Sequence, residues 1–424
     1  ETLFYRLSGM VDTLMLSSVS DQAVGAVGTA NTYIGVFIIM FGVISSGMVA
    51  VMSQNIGAGR PGVAYQARQL GLVFNAALGV IMSLFLSLGA GTILSGVGVA
   101  DALMQPAKTY LQIVGGFCIL NALIPICSSY LRAFGFSKEP LYASIIGNVI
   151  NFCLNAFFLF VLHKGVAGVA TATVISRIIN LVIVVLLGAV LVKAKQHPER
   201  ESNRAVMGQI IRIGLPSACE TAIYNVSMTL VIRFLNQMDA QGLNVTARSY
   251  TMQITNFSYC VGAALAQANA IMTGWHIGAK EYDACDRGTK KAAVIGVIVA
   301  VILETVFTLC SGWIMQLFSK DPQMVSLVGK LLAIDIVLEI GRVTNLVYGQ
   351  ALKTSGDAVF PVVMGACFMI LCSVGGTYLF GIRLGLLAVG AYIGMTGDEC
   401  VRAVGMYLRW KSGKWKEKGL VKSR

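Results

Sequence analysis

Long stretches of this chain carry no charged residue. Residues 22–59, 69–100, 109–131, 140–162, 249–279 and 358–382 contain no Asp, Glu, Lys or Arg, and each reaches the roughly 20 residues that a helix needs to cross a hydrocarbon core. Four further apolar runs hold internal charges, around Arg177, Glu220, Glu304 and residues 335–342, and a last one ends at Asp398 and Glu399. With the opening segment "ETLFYRLSGMVDTLMLSSVS", the pattern predicts twelve transmembrane helices, the first of them truncated and none of them a signal peptide.

The pattern also repeats. "LRAFGFSKEP" at residues 131–140 returns as "LKTSGDAVFP" at 352–361, and "IGAG" at 56–59 returns as "IGAK" at 277–280, in both cases at an offset of 221 residues. Gly135 and Gly356 suit a tight turn, Pro140 and Pro361 suit the start of the next helix, and Arg132 and Lys353 suit a loop held on one membrane side. The expected fold is an all-α polytopic membrane protein of two six-helix bundles. Six is even, so both bundles start on the same side and relate by a pseudo-twofold axis along the membrane normal, as in transporters that rock around a central site. Expected boundaries are 1–194 for the first lobe, 195–211 for a cytoplasmic linker, 212–410 for the second lobe and 411–424 for a basic tail.

Composition agrees with this reading. The chain is 56% hydrophobic and 12% charged, against roughly 25% charged in soluble domains. Sorting Lys and Arg by alternate loops puts 21 on one side and five on the other. The rich side, with both termini, is therefore expected on the cytoplasmic face of a plasma membrane, the inner membrane of a bacterium. The net charge of +12 is then topology, and the tail "RWKSGKWKEKGLVKSR" reads as an anchor to inner-leaflet lipid rather than a nucleic-acid patch. The expected partners are membrane lipid and small organic substrates, with the chain a monomer. Ten cysteines without a CxxC pair and three scattered histidines point to packing, not to disulfides or a metal centre. No clustered His/Asp or Ser/His set marks a membrane-embedded enzyme, and no Gly-rich phosphate loop marks ATP use, so no cofactor is expected. Ion gradients, a partner or passive flow remain.

Several polar residues fall where lipid or core would disfavour them. Asp12 sits among Met10, Val11, Leu14, Met15 and Leu16, an apolar setting in which a carboxylate is costly to ionise. Asn151 and Asn155, four apart in "NVINFCLN", share a helix face and suit a cation or a carboxylate. Asp335, Glu339 and Arg342 fall on one face of the tenth helix, either as a self-neutralising strip or as a transport site. Glu220 is a further acid in the seventh span.

"VDTLMLSSVSDQAVGAVGTANTY", "VMSQNIGAGRPGVAYQARQ", "LRAFGFSKEP", "GNVINFCLNAFFLF" and "GVAGVATATVIS" resemble, in order and with their second-half counterparts, the multidrug and toxic compound extrusion (MATE) family. The resemblance implies two bundles facing a central cleft and export of organic, often cationic and aromatic compounds in exchange for H+ or Na+. In its DinF-like branch an aspartate at the position of Asp12 works with an asparagine and a threonine, here Asn151 and Thr173, with the Val169 carbonyl as a further ligand for Na+. The family's usual Asp-Pro is replaced by Asn155 and Ala156, which removes a negative charge and favours protons. In the NorM-like branch acids of the second half bind the cation, but Glu220 lies about a turn early and Arg342 stands near the helix-ten acid, so that site does not transfer intact. Eighteen methionines suit a plastic cavity, and Tyr33, Met40, Tyr250, Met252 and Asn256 are the expected cleft residues. A lipid-linked oligosaccharide flippase of the wider superfamily, holding phosphates with Arg177 and Arg233, is the alternative.

Overall fold

A computed structural model describes residues 15–16, 20–96, 101–193, 199–239, 241–316, 319 and 321–421. Asp12 lies outside the described residues. The first half runs through α1 (Asp21–Gly57), α2 (Pro61–Leu88), the short α3 (Ala90–Gly96), α4 (Asp101–Tyr110), α5 (Ile119–Ala133), α6 (Lys138–Ala156) and α7 (Gly165–Leu191). The second runs through α8 (Asn203–Met238), α9 (Leu243–Gly278), α10 (Tyr282–Leu309), the short α11 (Ser311–Met315), α12 (Pro322–Thr354), α13 (Val359–Phe368) and α14 (Leu387–Lys411). Wider π-turns extend α4, α6 and α13. Among the described residues there is no strand.

Local chemistry sets the helix ends. Pro61 and Pro322 open their helices where no N–H is needed, and Asp321 caps α12 by accepting from the Gln323 N–H at 3.0 Å. Asp239 accepts from the backbone of Leu243 and Asn244 at 2.8 and 3.0 Å. Although burial raises its carboxyl, these bonds hold it below the usual range. The repeated decapeptide forms the same turn twice, with Gly135 and Gly356 at φ +89° and +97°, a region that favours glycine.

Among the described residues, five helices are long and apolar enough to cross a membrane, or up to seven if each of two bent pairs is one span. Val73, Leu84, Ile298 and Leu371 are each more than half exposed, as expected where the solvent is lipid. Four other long helices, α8, α9, α12 and α14, carry internal charges.

The chain packs as two compact units. The first takes the residues up to Met52 with Arg60–Gly214. Here α6 packs on α7, and α5 on both α2 and α7, around Phe41, Leu86, Leu111 and Val169. A Cβ on Gly47 or Gly214 would lie 2.0 or 1.8 Å from the carbonyl oxygen of Ile210 or Val43, so α1 and the start of α8 cross backbone to backbone. Glu201, just before α8, is held by Arg60 and by both ends of the Gln66 amide.

The second unit takes Ser53–Gly59 with Leu215–Arg424. Its centre is α12, which packs on α9, α10 and α14. The tail folds back over this unit. Trp410 and Trp415 of the basic tail stack at 4.1 Å and are each 1% exposed. Burying two indoles against protein removes more apolar surface from water than leaving them at an interface. Leu420 N–H donates to Gln54 Oε1 at 2.7 Å, and Gln54 Nε2 donates to the Thr354 carbonyl at 2.6 Å. Asp357 accepts from Arg409 and Lys418 at 2.7 and 2.6 Å, bonds that outweigh burial and hold its carboxyl below the usual range.

Candidate functional site

Two apolar cores fill the second unit. α12 contributes Val328, Leu331, Leu332 and Leu338 to one, and α14 adds Ala388, Ala391 and Tyr392. The other takes Val343, Val347, Ala351 and Leu352 from α12, with Met406 and Trp410 from α14. Between these stretches both helices turn polar. Asp335, Glu339, Arg342 and Asn345 follow at helical spacing on α12, Asp398, Glu399 and Arg402 on α14, and Glu304 arrives from α10. Glu304 and Glu339 are 0% exposed, Asp335 and Asp398 2%, and Arg402 3%, so these five groups are closed off from solvent.

Most of the layer is a bonded chain. Arg342 pairs with Glu339 one turn earlier and stands 3.7 Å from Glu399. Asn345 Nδ2 donates to Glu399 at 3.0 Å. Arg402 reaches Glu399 at 3.0 Å and holds Asp398 through two bonds of 2.7 and 2.9 Å, and the Ser373 hydroxyl donates to Asp398 at 3.0 Å. Arg342 is its most open member, with a side chain 20% exposed and the Tyr259 ring 6.0 Å away.

Glu304 and Asp335 lie outside these ion pairs, and Glu339 uses only one of its oxygens. Glu304, Asp335 and Glu339 bring carboxylate oxygens within 4.8 Å of one another. Both oxygens of Glu304, Oδ2 of Asp335 and Oε2 of Glu339 are buried without a hydrogen-bond partner. Five carboxyls thus share two guanidiniums. Buried carboxylates without partners are expensive, and groups so placed are relieved by taking up a proton or a cation. Three converging carboxyls can bind either, because hard cations favour oxygen ligands.

The sequence candidates divide. Asp335, Glu339 and Arg342 do share one face of α12, and Glu304 joins them. Thirty-one positions separate Glu304 from Asp335 and no motif links them; the available signal was a lone acid inside an apolar span. Glu220 stands apart from the acid group and pairs with Lys353 at 2.5 Å, so the basic residue of the second decapeptide has an acid from α8 as its partner. In the first unit Asn155 donates to Asn151 at 3.3 Å, both buried. The Thr173 hydroxyl donates to the Val169 carbonyl at 2.9 Å, which gives that carbonyl a partner inside its own helix. Of the expected cleft residues, Tyr33 and Tyr250 pack partly buried against the cores, Met40 and Met252 are 42% and 45% exposed, and Asn256 is half-buried.

The MatE family model matches residues 1–157 and 216–379. The chain belongs to the MATE family. The two matched segments fall one in each half of the repeat. "Uncharacterized transporter YisQ" of Bacillus subtilis is 33% identical, over 99% of this chain and 93% of its own length. "Probable multidrug resistance protein NorM" of Thermotoga maritima is 23% identical over 99% and 91%. Among solved structures, a MATE protein in a bent conformation superposes with a TM-score of 0.89 at 18% identity, over 98% of this chain and 93% of that one. A second, whose title reports reverse polarity of the binding pocket in a transporter from Pyrococcus furiosus, reaches 0.86 at 18% identity over 100% and 94%. These likenesses establish the MATE fold of two six-helix bundles for this chain.

Proposed function

We propose that this MATE transporter is a secondary active exporter of organic compounds that exchanges them for protons. The observation that carries the coupling is Glu304, fully buried with both oxygens unpaired beside Asp335 and Glu339. A group so placed is stable when neutral and costly when charged, so its loading and unloading demand different local packing. In a bundle that moves between two arrangements, that difference ties ion release to exposure of a substrate on the other side. A proton needs one oxygen, whereas Na+ needs a fuller cage; the departure at Asn155 also favours the proton. Asp12 with Asn151, Asn155 and Thr173 is the corresponding candidate in the first unit. Basic loops, both termini and residues 195–211 face the cytoplasm, and export runs outward.

The test is efflux of ethidium from proteoliposomes under an imposed pH gradient. Glu304→Gln and Asp335→Asn are expected to bind ethidium yet lose gradient-driven efflux, with Asp12→Asn measured alongside. Parental efflux by both second-unit variants refutes the acid cluster as the coupling site. Efflux driven by a sodium gradient alone replaces the proton with Na+.

A further inference from the structure

The second unit contains more carboxyls in near succession than its acid cluster. After Glu304, Asp335 and Glu339 come Glu399, then Asp398, and then Glu220 near the end of α12 that carries Lys353. Carboxyl chains of this kind are proton routes in membrane proteins. Here an arginine interrupts the chain twice. Arg342 stands between Glu339 and Glu399, and Arg402 stands between Glu399 and Asp398 with Glu220 inside its electrostatic reach. A guanidinium does not give up its proton in this medium, and a fixed positive charge at a constriction repels protons and other cations.

Position supports the same reading. Arg342 lies about 10 Å along α12 from Asp335, and Lys353 about 17 Å further, at the end that the proposed orientation places in the cytoplasm. Where α9, α10 and α12 continue toward that end they pack through Ala266, Ala293, Ala300, Val343 and Val347, and the buried polar groups there, Asn269, Thr273 and Thr289, bond one another with no carboxyl in the group. On the α13 side carboxyls continue instead, from Asp398, to which Ser373 donates, to the Glu220–Lys353 pair. Arg402, held by two carboxyls and 3% exposed, cannot swing aside without stranding buried charge.

We propose that Arg342 and Arg402 are an electrostatic barrier that stops ions in the acid cluster from leaking through the second unit to its cytoplasmic end. The barrier rests on the reading of Glu304, Asp335 and Glu339 as the ion site, and it gives the arginines a role beyond neutralising nearby acids. Simple neutralisation would predict a change in stability when either is replaced. A barrier predicts a leak that depends on positive charge at that place.

The experiment uses the full chain in liposomes loaded with a pH-sensitive dye, with a pH gradient imposed, valinomycin present and no substrate. Arg342→Gln and Arg402→Gln are expected to dissipate the gradient about tenfold faster or more than the parent, because a unit charge at contact distance inside a protein outweighs a tenfold difference in rate. Arg342→Lys and Arg402→Lys are expected to stay close to parental. If Arg402→Gln does not run as a single folded species, Arg342→Gln decides, since Arg402 still holds Glu399 in that variant. A folded Arg342→Gln as tight as the parent overturns the barrier, as does a lysine variant that leaks as fast as its glutamine counterpart. Failure of the coupling site shows elsewhere, as normal ethidium efflux by Glu304→Gln.

Discussion

Replacing Glu304 and Glu339 by glutamine, one at a time, separates an acid that functions neutral from one that functions as half of an ion pair. The two are equally buried and adjacent, yet their partners differ. Glu304 has none for either oxygen, so an amide of the same size removes no ion pair, and the expected change is within about 1 kcal/mol. Glu339 neutralises Arg342, whose other acid, Glu399, stands 3.7 Å away and is shared with Arg402. Breaking a buried pair costs about 3–5 kcal/mol, and the remaining attraction to Glu399 lowers this to about 2–4 kcal/mol. At about 2–4 °C per kcal/mol for a unit of 150–250 residues, Glu339→Gln is expected to lower the midpoint of thermal unfolding by about 5–15 °C. Glu304→Gln is expected to move it by about 4 °C or less. The assay is thermal unfolding in detergent, read by tryptophan fluorescence, with size-exclusion chromatography to confirm a folded starting state. Equal destabilisation by both substitutions would refute the reasoning, because it would mean that Glu304 is charged and compensated in the folded protein.

Trp415→Ala removes a stacked, fully buried indole and is expected to cost about 3–5 kcal/mol, measured by the same unfolding assay, while a substitution at the exposed Lys414 is expected to be near neutral. The Asp357 carboxyl has a folded value below its ordinary 3.8, so the stability it contributes is fully present above about pH 4 and is lost as pH falls through the folded value. Asp357→Asn should therefore be less stable than the parent at pH 7, with the gap closing in acid; a gap that is constant with pH contradicts this. For topology, a membrane-impermeant thiol reagent should modify Gly242→Cys from outside intact cells and spare Ser202→Cys, in a background whose native cysteines do not react; the reverse pattern inverts the proposed orientation.

The structure separates two kinds of residue in the candidate site. Asp335, Glu339 and Arg342 were legible as a group because helix periodicity alone places i, i+4 and i+7 on one face. Glu304, Glu399 and Arg402 were not, because their meeting depends on how α10, α12 and α14 pack, and pairwise packing leaves no local mark in a single chain. Lys353 was read as a loop charge, yet its partner Glu220 is 133 positions away and on a different helix.

Hydropathy, charge placement and the 221-residue repeat determined by themselves that this is an all-helical membrane protein built of two like halves. Lipid admits no unpaired backbone, so long apolar runs have few structures open to them, and a duplicated turn must recur wherever its glycine and proline recur. Tertiary structure alone decided which charges meet. It buried the tail's tryptophans against protein, although their sequence suits a membrane surface equally well. It also left Glu304 without a partner among acids whose arginines were already engaged, because a buried charge is governed by its neighbours in space, and the order of residues does not contain them.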